Sequence, residues 1–234
     1  FMKLIDELKS ILVIVSIIFF IRSSLINWYV VPTGSMLPTI KIGDRTVVNK
    51  LSYGFMLPFM ETRMFSWDSP KRGDIVVFKG PESQNGLTLI KRVVGISGDV
   101  VKFTGGVLTV NGVLAKETLQ DDRKVLDDID LSEDTESKYL FLESDFSKFP
   151  HFILRKKFGG PTNNETKTWV IPQNKLLLVG DNRDSSLDGR AWGFMDENRI
   201  YGRAFLVSYS TSNYHQKTLI PVFRSDRWFK LIEN

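Results

Sequence analysis

The sequence predicts a mainly β protein: an antiparallel β-sheet domain with an N-terminal transmembrane helix and an inserted small subdomain. Short segments rich in β-branched and aromatic residues follow one another from residue 31 onward, and Gly, Pro, Asn or Asp commonly bound them. No long amphipathic helix is evident in that part of the chain. An apolar segment lies near the amino end. With 234 residues, the chain is long enough for one sizeable domain, alone or with a small additional subdomain.

The apolar segment comprises residues 11–21 and extends, after Arg22, to about residue 31. We interpret residues 10–30 as a retained transmembrane anchor and residues 1–9 as a short cytoplasmic end, since Lys3 and Lys9 favour that orientation. A cleaved signal peptide is an alternative, but residues 23–30 offer a poor cleavage site. A buried helix is another, but this helix is apolar on nearly every face.

The β-rich part is predicted to form strands at residues 73–78, 87–96, 99–103, 106–110, 174–180 and 203–210. The pair Asn111-Gly112 is typical of a two-residue hairpin turn. These patterns predict a catalytic domain from residues 31–115 and 171–234. Residues 116–170 differ in composition and are interpreted as an inserted subdomain or mobile excursion. The acidic residues between 120 and 137 lack the spacing of a calcium loop and indicate a solvated loop.

Composition excludes several kinds of site. The chain has no cysteine, which excludes a thiol nucleophile, a disulfide and a thiolate metal site. Its two histidines, His151 and His215, lie in no recognisable motif, so a Ser-His-Asp triad is not predicted. The net charge of +4 is too small to predict nucleic-acid binding and allows a weak preference for anionic lipid. No cofactor or metal is predicted.

A first chemical motif is Pro- and Gly-rich and spans residues 31–39, VPTGSMLPT. Two prolines stiffen the segment, and Gly34 permits a turn that would be costly for other residues. Such a turn exposes the Ser35 hydroxyl and directs backbone amides outward. The Ser35 amide and the Thr33 hydroxyl are then placed to stabilise an oxyanion. A serine in such a segment is, taken alone, usually part of an ordinary turn.

A second motif is a strand with adjacent basic residues, LTLIKRVV at 87–94. Alternation places Lys91 on one face together with leucine and valine side chains. Removal of its ammonium from water lowers the pKa of Lys91, as a general base near neutral pH requires. Arg92 stays charged and is interpreted as a structural or ion-pairing residue. A solvent-facing lysine on an edge strand is the alternative.

A third motif is the polar loop GDNRDSSLDGR at 180–190, which follows an apolar strand. Its density of donors and acceptors predicts an internal network of hydrogen bonds and ion pairs. Such a network is suited to place Ser186 against Lys91 and to fix the position of the base. The alternative is a loop that has only a structural role.

Together and in this order, these motifs resemble those of type I signal peptidases, also called leader peptidases. The matching segments are PTGSMLPT at 32–39, KRGDIVVF at 71–78, IKRVVGISGD at 90–99 and GDNRDSSLDGRAWGF at 180–194. The resemblance implies the β fold of that family, with Ser35 as nucleophile and Lys91 as general base. It also implies an oxyanion hole from Thr33 and the Ser35 amide.

The resemblance assigns supporting roles to three further residues, and two more are predicted beside them. Ser186 matches a serine that hydrogen-bonds the lysine, and Asp188 and Arg190 match an ion pair. Arg92 and Asp181 complete the supporting set. The sequence departs from the family at Ser97, where proline is usual, and at Gly189, where serine is frequent; both departures concern local rigidity.

The implied activity is that of a membrane-bound serine endopeptidase. Such an enzyme removes signal peptides from exported preproteins after small residues at −1 and −3, through an acyl-enzyme. The implied partners are signal peptides and membrane lipid, without nucleic acid or an obligate protein partner. The implied location is the outer face of the bacterial inner membrane. The loop at 53–60, with Phe65 and Trp67, is a candidate for lipid insertion, with core packing as the alternative.

Two other classes share some of these features. Self-cleaving repressors use the same Ser/Lys chemistry, but they carry a DNA-binding helical domain where this chain has its apolar segment. A non-catalytic binding module of the same fold is the second alternative. Every catalytic position here holds a competent residue, which favours the enzyme.

Overall fold

The structure, a computed structural model, describes residues 2–57, 60, 62–121, 139–146, 150–157, 166–212 and 222–232. Within these residues there are two α-helices, α1 (Met2–Ser24) and the four-residue α2 (Gly189–Trp192). The first strands are β1 (Ile26–Val30), β2 (Asp44–Asn49), β3 (Gly54–Phe55), β4 (Phe65–Ser66), β5 (Ile75–Lys79), β6 (Thr88–Gly95), β7 (Val100–Thr104), β8 (Val107–Val110) and β9 (Val113–Leu114). The remaining strands are β10 (Lys116–Leu119), β11 (Tyr139–Asp145), β12 (His151–Lys156), β13 (Thr166–Val170), β14 (Lys175–Val179), β15 (Met195–Asp196), β16 (Ile200–Ser210) and β17 (Lys230–Leu231).

The main sheet is antiparallel and has the strand order β1-β2-β16-β5-β6-β14-β15, with β17 paired to β16. Its central strand β5 is buried on both faces. Ile75 and Val77 pack into one hydrophobic cluster, and Val76 and Phe78 pack into another on the opposite face. Burial on both faces explains why this strand is continuously apolar instead of alternating. The predicted mainly β, antiparallel fold is confirmed.

In the described part of the chain, three smaller sheets accompany the main one, with the orders β13-β7-β8-β9, β10-β11-β12 and β3-β4. The predicted hairpin turn at Asn111-Gly112 connects β8 to β9. Both residues have positive φ, 51° and 81°, as a turn of this kind requires. The hairpin prediction is therefore confirmed.

The N-terminal segment differs from the prediction. Helix α1 ends at Ser24, and residues 26–30 form β1, which pairs with β2. The prediction of an anchor reaching residue 30 is therefore wrong for these residues, because they belong to the main sheet. The apolar side chains of residues 11–21 are largely exposed. Among the described residues, the structure contains no helix of sufficient length and apolarity to traverse a membrane.

The region predicted as an inserted subdomain contributes to two sheets. Strands β10, β11 and β12 form a sheet of their own, whereas β13 pairs with β7. Leu37, two residues after Ser35, packs with Tyr139, Phe141 and Leu154 of this region. The division into domains stays a prediction, and most of the acidic run, residues 122–138, lies outside the described residues.

Candidate active site

Ser35 lies in a short turn, Gly34–Met36, shortly after β1. The Leu37 amide donates to the Gly34 carbonyl at 3.1 Å and closes the turn, and Met36 is fully buried. Gly34 does not adopt positive φ, so the turn does not need glycine for its backbone conformation. A Cβ at this position would nevertheless lie 2.9 Å from Leu37 Cδ1, so packing favours glycine here. The turn is held by the burial of Met36, which leaves Ser35 half-buried at the surface.

Lys91 lies on β6 opposite Val76 of β5 and is 3% exposed. Its Nζ is 2.7 Å from Ser35 Oγ and 2.9 Å from the Ile90 carbonyl oxygen. Burial lowers the pKa of Lys91 to about 8, from an ordinary 10.5. The carboxylates of Asp188 and Asp181 oppose this change. The two residues that were predicted as nucleophile and base are therefore in contact, and the lysine is poised to lose its proton near neutral pH.

Thr33 precedes the turn with an extended backbone (φ −129°, ψ 153°) and is exposed. Its side chain makes no capping hydrogen bond to the turn, within the part of the chain described here. The role of the Thr33 hydroxyl as an oxyanion-hole donor stays a prediction.

Arg92 points away from Lys91, as alternation in a strand requires, and forms a buried ion pair with Asp181. Its Nε and Nη2 donate to the two carboxylate oxygens, both at 2.8 Å, and its Nη1 donates to the Gly73 carbonyl at 2.7 Å. Burial acts to raise the pKa of Asp181, but the Arg92 charge and hydrogen bonds, including one from Thr39, lower it overall. This pair fixes the start of the polar loop beside β6.

The polar loop is joined directly to the nucleophile turn by Asn182, which sequence reasoning missed. The Asn182 amide donates to the Ser35 carbonyl at 3.1 Å, and its side-chain Nδ2 donates to the Gly34 carbonyl at 3.0 Å. The only sequence signal was an amide side chain in a loop dense with hydrogen-bonding groups. Nothing local indicated that its partners lay about 150 positions away.

Gly180 allows the loop to approach the turn closely. A Cβ at this position would lie 2.4 Å from the Ser35 carbonyl oxygen and 2.3 Å from Ser186 Oγ. Both distances are far below van der Waals contact, so the packing of the loop against the nucleophile depends on glycine here.

Asp188 and Arg190 form the predicted ion pair. Arg190 donates from Nε and Nη2 to Asp188, both at 2.8 Å, and the Gly180 amide donates to the same carboxylate at 3.0 Å. Arg190 also donates to the Arg183 carbonyl. The pair therefore ties both ends of the polar loop together.

Ser186 differs from the prediction. Its Oγ is buried and has no hydrogen-bond partner among the described residues, so the expected bond to Lys91 is not made. The physical reason is that Lys91 directs its nitrogen toward Ser35 and the Ile90 carbonyl, whereas Ser186 packs against Gly180.

The structure shows the contacts of Ser97 and Gly189, the two residues that depart from the family pattern. Ser97 donates to Glu197 at 3.2 Å, and a Cβ on Gly189 would lie 2.8 Å from the Leu178 carbonyl oxygen. Glycine at 189 therefore permits α2 to pack directly on β14. Across the described ranges, no group of three or more His, Asp or Glu side chains is arranged to hold a metal ion.

Comparison with known proteins identifies the family of the chain. Residues 4–209 match the family described as "Signal peptidase, peptidase S26". The chain belongs to this family. Signal peptidase I of Pseudomonas aeruginosa is 33% identical over 87% of this chain and 72% of its own length. Signal peptidase I of Pseudomonas fluorescens is 32% identical with the same coverage, and that of Haemophilus influenzae is 27% identical over 97% of this chain and 76% of its own length.

A solved structure of a signal peptidase I from Enterococcus faecalis V583 aligns with 59% of this chain and 98% of that chain at 25% identity. Its TM-score of 0.34 is too low to support an argument from overall shape. As a member of the signal peptidase family, the chain is a peptidase and therefore a hydrolase.

Proposed function

We propose that this signal-peptidase family member cleaves signal peptides from exported preproteins through an acyl-enzyme on Ser35, with Lys91 as general base. The observation that carries the proposal is the 2.7 Å contact between Lys91 Nζ and Ser35 Oγ. The contact is made by a lysine whose burial lowers its pKa to about 8. A neutral amine within hydrogen-bonding distance of a hydroxyl is the pairing that nucleophilic catalysis by serine requires.

In the first half of the reaction, neutral Lys91 accepts the Ser35 hydroxyl proton while Oγ attacks the scissile carbonyl. The Ser35 amide and the Thr33 hydroxyl stabilise the oxyanion that forms. When the intermediate collapses, Lys91 gives its proton to the leaving amine, and an ester to Ser35 remains. In the second half, Lys91 activates a water that hydrolyses the ester and releases the signal peptide.

The buried ion pairs and the hydrogen bonds around them hold Lys91 and the turn that carries Ser35 in fixed positions relative to each other. Asp181 pairs with Arg92, the neighbour of Lys91 on β6, and Asn182 donates to the carbonyls of Gly34 and Ser35 in the turn. Asp188 and Arg190 fix the loop from the other end. Because these groups are positioned before substrate arrives, little reorganisation is needed in the transition state.

Substrate is proposed to bind as an extended strand beside the turn. Residues 32 and 33 are exposed, and residues 88–90, which lead into Lys91, are exposed or half-buried. Both segments offer backbone groups next to the reacting pair, as strand addition requires. The preference for small residues at −1 and −3 is supported by the resemblance of the four motifs to type I signal peptidases.

The protein is proposed to act at the outer face of the bacterial inner membrane. The exposed apolar side chains of α1, residues 11–21, are suited to contact lipid. A second apolar group surrounds β3 and β4, where Met60, Met64, Phe65 and Trp67 are more than half exposed. Tyr53 and Met56 of the same region are buried, so core packing applies to these two residues, and lipid insertion is proposed for the four exposed ones.

Cleavage of a preprotein with an Ala-x-Ala site in detergent tests the activity. The protein should cut after the second alanine, and Ser35→Ala should not, although it folds. Replacing the −1 alanine by leucine should abolish cleavage if the site accepts only small residues. Cleavage retained in Ser35→Ala would overturn the assignment of the nucleophile, and no cleavage by either folded protein with lipid present would favour a binding module.

Fluorescence quenching tests the contact with lipid. Vesicles carrying a quencher in their acyl chains should reduce the emission of the protein, and the reduction should be smaller for Trp67→Phe. Trp192→Phe is the matched control, because Trp192 packs against the core. Equal quenching in the protein and in Trp67→Phe would contradict insertion of this loop.

A further inference from the structure

Asn182 contacts the peptide groups on both sides of Ser35, the proposed nucleophile. Its side-chain Nδ2 donates to the Gly34 carbonyl at 3.0 Å, and its main-chain amide donates to the Ser35 carbonyl at 3.1 Å. Asn182 is itself buried, with 5% of its surface exposed. One residue of the polar loop therefore holds the two consecutive peptide units that flank Ser35.

The bond to the Gly34 carbonyl also orients the Ser35 N–H. The two groups belong to one peptide unit, which is planar and trans and therefore directs its C=O and its N–H to opposite sides. A donor that fixes the carbonyl fixes the direction of the N–H as well. The Leu37 amide donates to the same carbonyl at 3.1 Å, so two donors hold this end of the peptide unit.

The Ser35 N–H is available to a substrate. Within the described part of the chain no acceptor takes it, and Ser35 is only half-buried. Hydrogen bonds that share a group polarise one another, so donors at the carbonyl end of an amide strengthen donation from its N–H end. The two donors on the Gly34 carbonyl therefore make the Ser35 N–H a stronger donor toward negative charge.

The same short stretch of the loop supports the proposed base. Asp181, which precedes Asn182, forms the buried ion pair with Arg92, and Arg92 is the neighbour of Lys91 on β6. Asp181 therefore acts on the strand that carries the base, and Asn182 acts on the peptide unit that carries the N–H donor. The position of each relative to the other depends on two adjacent loop residues.

We propose that Asn182 is a positioning residue for the oxyanion hole, an inference that rests on the proposed function. Its side chain directs and polarises the Ser35 N–H, which donates to the oxygen of the tetrahedral intermediate. This donation strengthens as negative charge develops on the oxygen, so its alignment acts on the transition state more than on the bound substrate. Loss of the Asn182 donor should therefore lower kcat and leave KM nearly unchanged.

Asn182→Leu removes this donor with little other change. Leucine has the branched shape of asparagine, and Asn182 Oδ1 has no hydrogen-bond partner among the described residues, so its loss breaks no further bond. The main-chain bond to the Ser35 carbonyl does not depend on the side chain. Asn49→Leu is the matched control: the Asn49 side chain also bonds the backbone, accepting from the Leu51 amide at 2.9 Å, at the end of β2 remote from the nucleophile turn.

Kinetics of preprotein cleavage in detergent give the first measurement. Asn182→Leu should lower kcat about tenfold to a hundredfold, without a change in KM or in the pH midpoint that Lys91 sets. Asn49→Leu should retain the kcat of the parent. Where leucine at 182 does not fold, Asn182→Ala should show the same fall in kcat. A shifted pH midpoint would mean that the substitution acts through Lys91 and would overturn the inference.

A peptide aldehyde separates binding of the transition state from binding of the substrate. Ser35 Oγ forms a bond to the aldehyde carbon, its proton passes to Lys91, and the C=O π bond breaks to leave the negative charge on oxygen. A peptide that ends in Ala-x-alaninal should bind Asn182→Leu at least about tenfold more weakly than the parent. The corresponding alcohol, which has no carbonyl to attack, should bind both equally.

Selective isotope labelling observes the peptide unit without catalysis. The chain contains a single Gly-Ser pair, residues 34 and 35, so glycine labelled at its carbonyl carbon with ¹³C and serine labelled with ¹⁵N give one peptide correlation by NMR. The Gly34 carbonyl resonance should move to lower frequency in Asn182→Leu, because the carbonyl loses a donor. It should stay in place in Asn49→Leu.

The outcomes separate this inference from the proposed function. An unchanged kcat in Asn182→Leu would overturn the inference alone, as would an equal loss of affinity for the aldehyde and the alcohol, or a Gly34 resonance that does not move. If the parent cleaves nothing, or if Ser35→Ala still cleaves, the proposed function fails and the oxyanion role fails with it. The labelled resonance would then still report whether Asn182 holds the peptide unit.

Discussion

Lys91 Nζ lies 2.7 Å from Ser35 Oγ although 56 positions separate the two residues in the chain. The contact exists because β6 carries the lysine into the interior of the main sheet, while burial of Met36 holds the serine turn against it. The environment that lowers the pKa of the lysine is thus made by the same packing that brings it to the nucleophile.

The pH dependence of cleavage should follow the neutral fraction of Lys91. Because burial lowers its pKa to about 8, kcat/KM should rise with pH and level off above about 8. Lys91→Met and Lys91→Arg should both abolish cleavage, since neither side chain accepts the proton at these pH values. Lys102→Met, which changes an exposed lysine, is the control and should retain the profile; a flat profile for the unmodified protein would exclude Lys91 as the base.

The same burial should make stability depend on pH. The folded chain binds the Lys91 proton less tightly than the unfolded chain, so between pH 8 and 10.5 the unfolded chain carries more protons, and stability rises with pH. The loss of stability that the lowered pKa of Lys91 causes is fully present below pH 8 and absent above pH 10.5. Lys91→Met should lack this contribution. The free energy of unfolding of the variant minus that of the parent protein should therefore be larger at pH 7 than at pH 10.5, by on the order of 3 kcal/mol. Urea unfolding of both proteins at the two pH values measures the difference, and an unchanged difference would contradict a lowered pKa.

Ser186→Ala should have little effect on folding. Its hydroxyl is buried without a hydrogen-bond partner among the described residues, so removal should leave the free energy of unfolding unchanged or slightly increased. Cleavage should fall less than about tenfold, because Lys91 is oriented by Ser35 and Ile90. A loss of a hundredfold or more would show that the Ser186 hydroxyl reaches Lys91 during the reaction, as the resemblance to type I signal peptidases implies.

The Arg92–Asp181 pair should be sensitive to loss of one partner. Asp181→Leu leaves a fully buried guanidinium without its carboxylate and should cost on the order of 3–5 kcal/mol in urea unfolding. The double variant Arg92→Met with Asp181→Leu should be more stable than Asp181→Leu alone, since no charge remains buried. Asp68→Asn, which breaks the exposed pair with Lys71, is the control and should change nothing measurable. Equal destabilisation by the single and double variants would mean that the charge is not the cause.

Gly180→Ala should impair cleavage through the position of Ser35. Its Cβ would meet the Ser35 carbonyl oxygen at 2.4 Å, so the loop or the turn must move. The Gly98→Ala variant provides the comparison, because Gly98 has φ of 85° with open space around it. Alanine at 98 should lower stability by about 1 kcal/mol through backbone strain and leave kcat unchanged, whereas alanine at 180 should lower kcat at least about tenfold. Full activity of Gly180→Ala would contradict the close approach.

The strand predictions succeeded where local pattern and burial agree. Residues 73–78 and 87–96 alternate or repeat β-branched residues, and they form β5 and β6. The apolar sequence of β1 predicts a membrane segment instead, because hydropathy does not show which segment the residues pair with. Pairing with β2, a relation between segments about 20 positions apart, decided that they form a strand.

The amino-acid sequence by itself determined the chemistry: a serine in a constrained turn, a lysine inside an apolar strand and a polar loop rich in charged pairs. These follow from local composition and periodicity, which act over a few residues. Only the tertiary structure decided which donors meet which acceptors. Asn182 donates to the nucleophile turn, and among the described residues the buried Ser186 hydroxyl has no partner and Arg183 has no acceptor. Hydrogen bonds act over about 3 Å and have fixed directions, so their pairing depends on how distant strands and loops pack, and no local pattern contains that information.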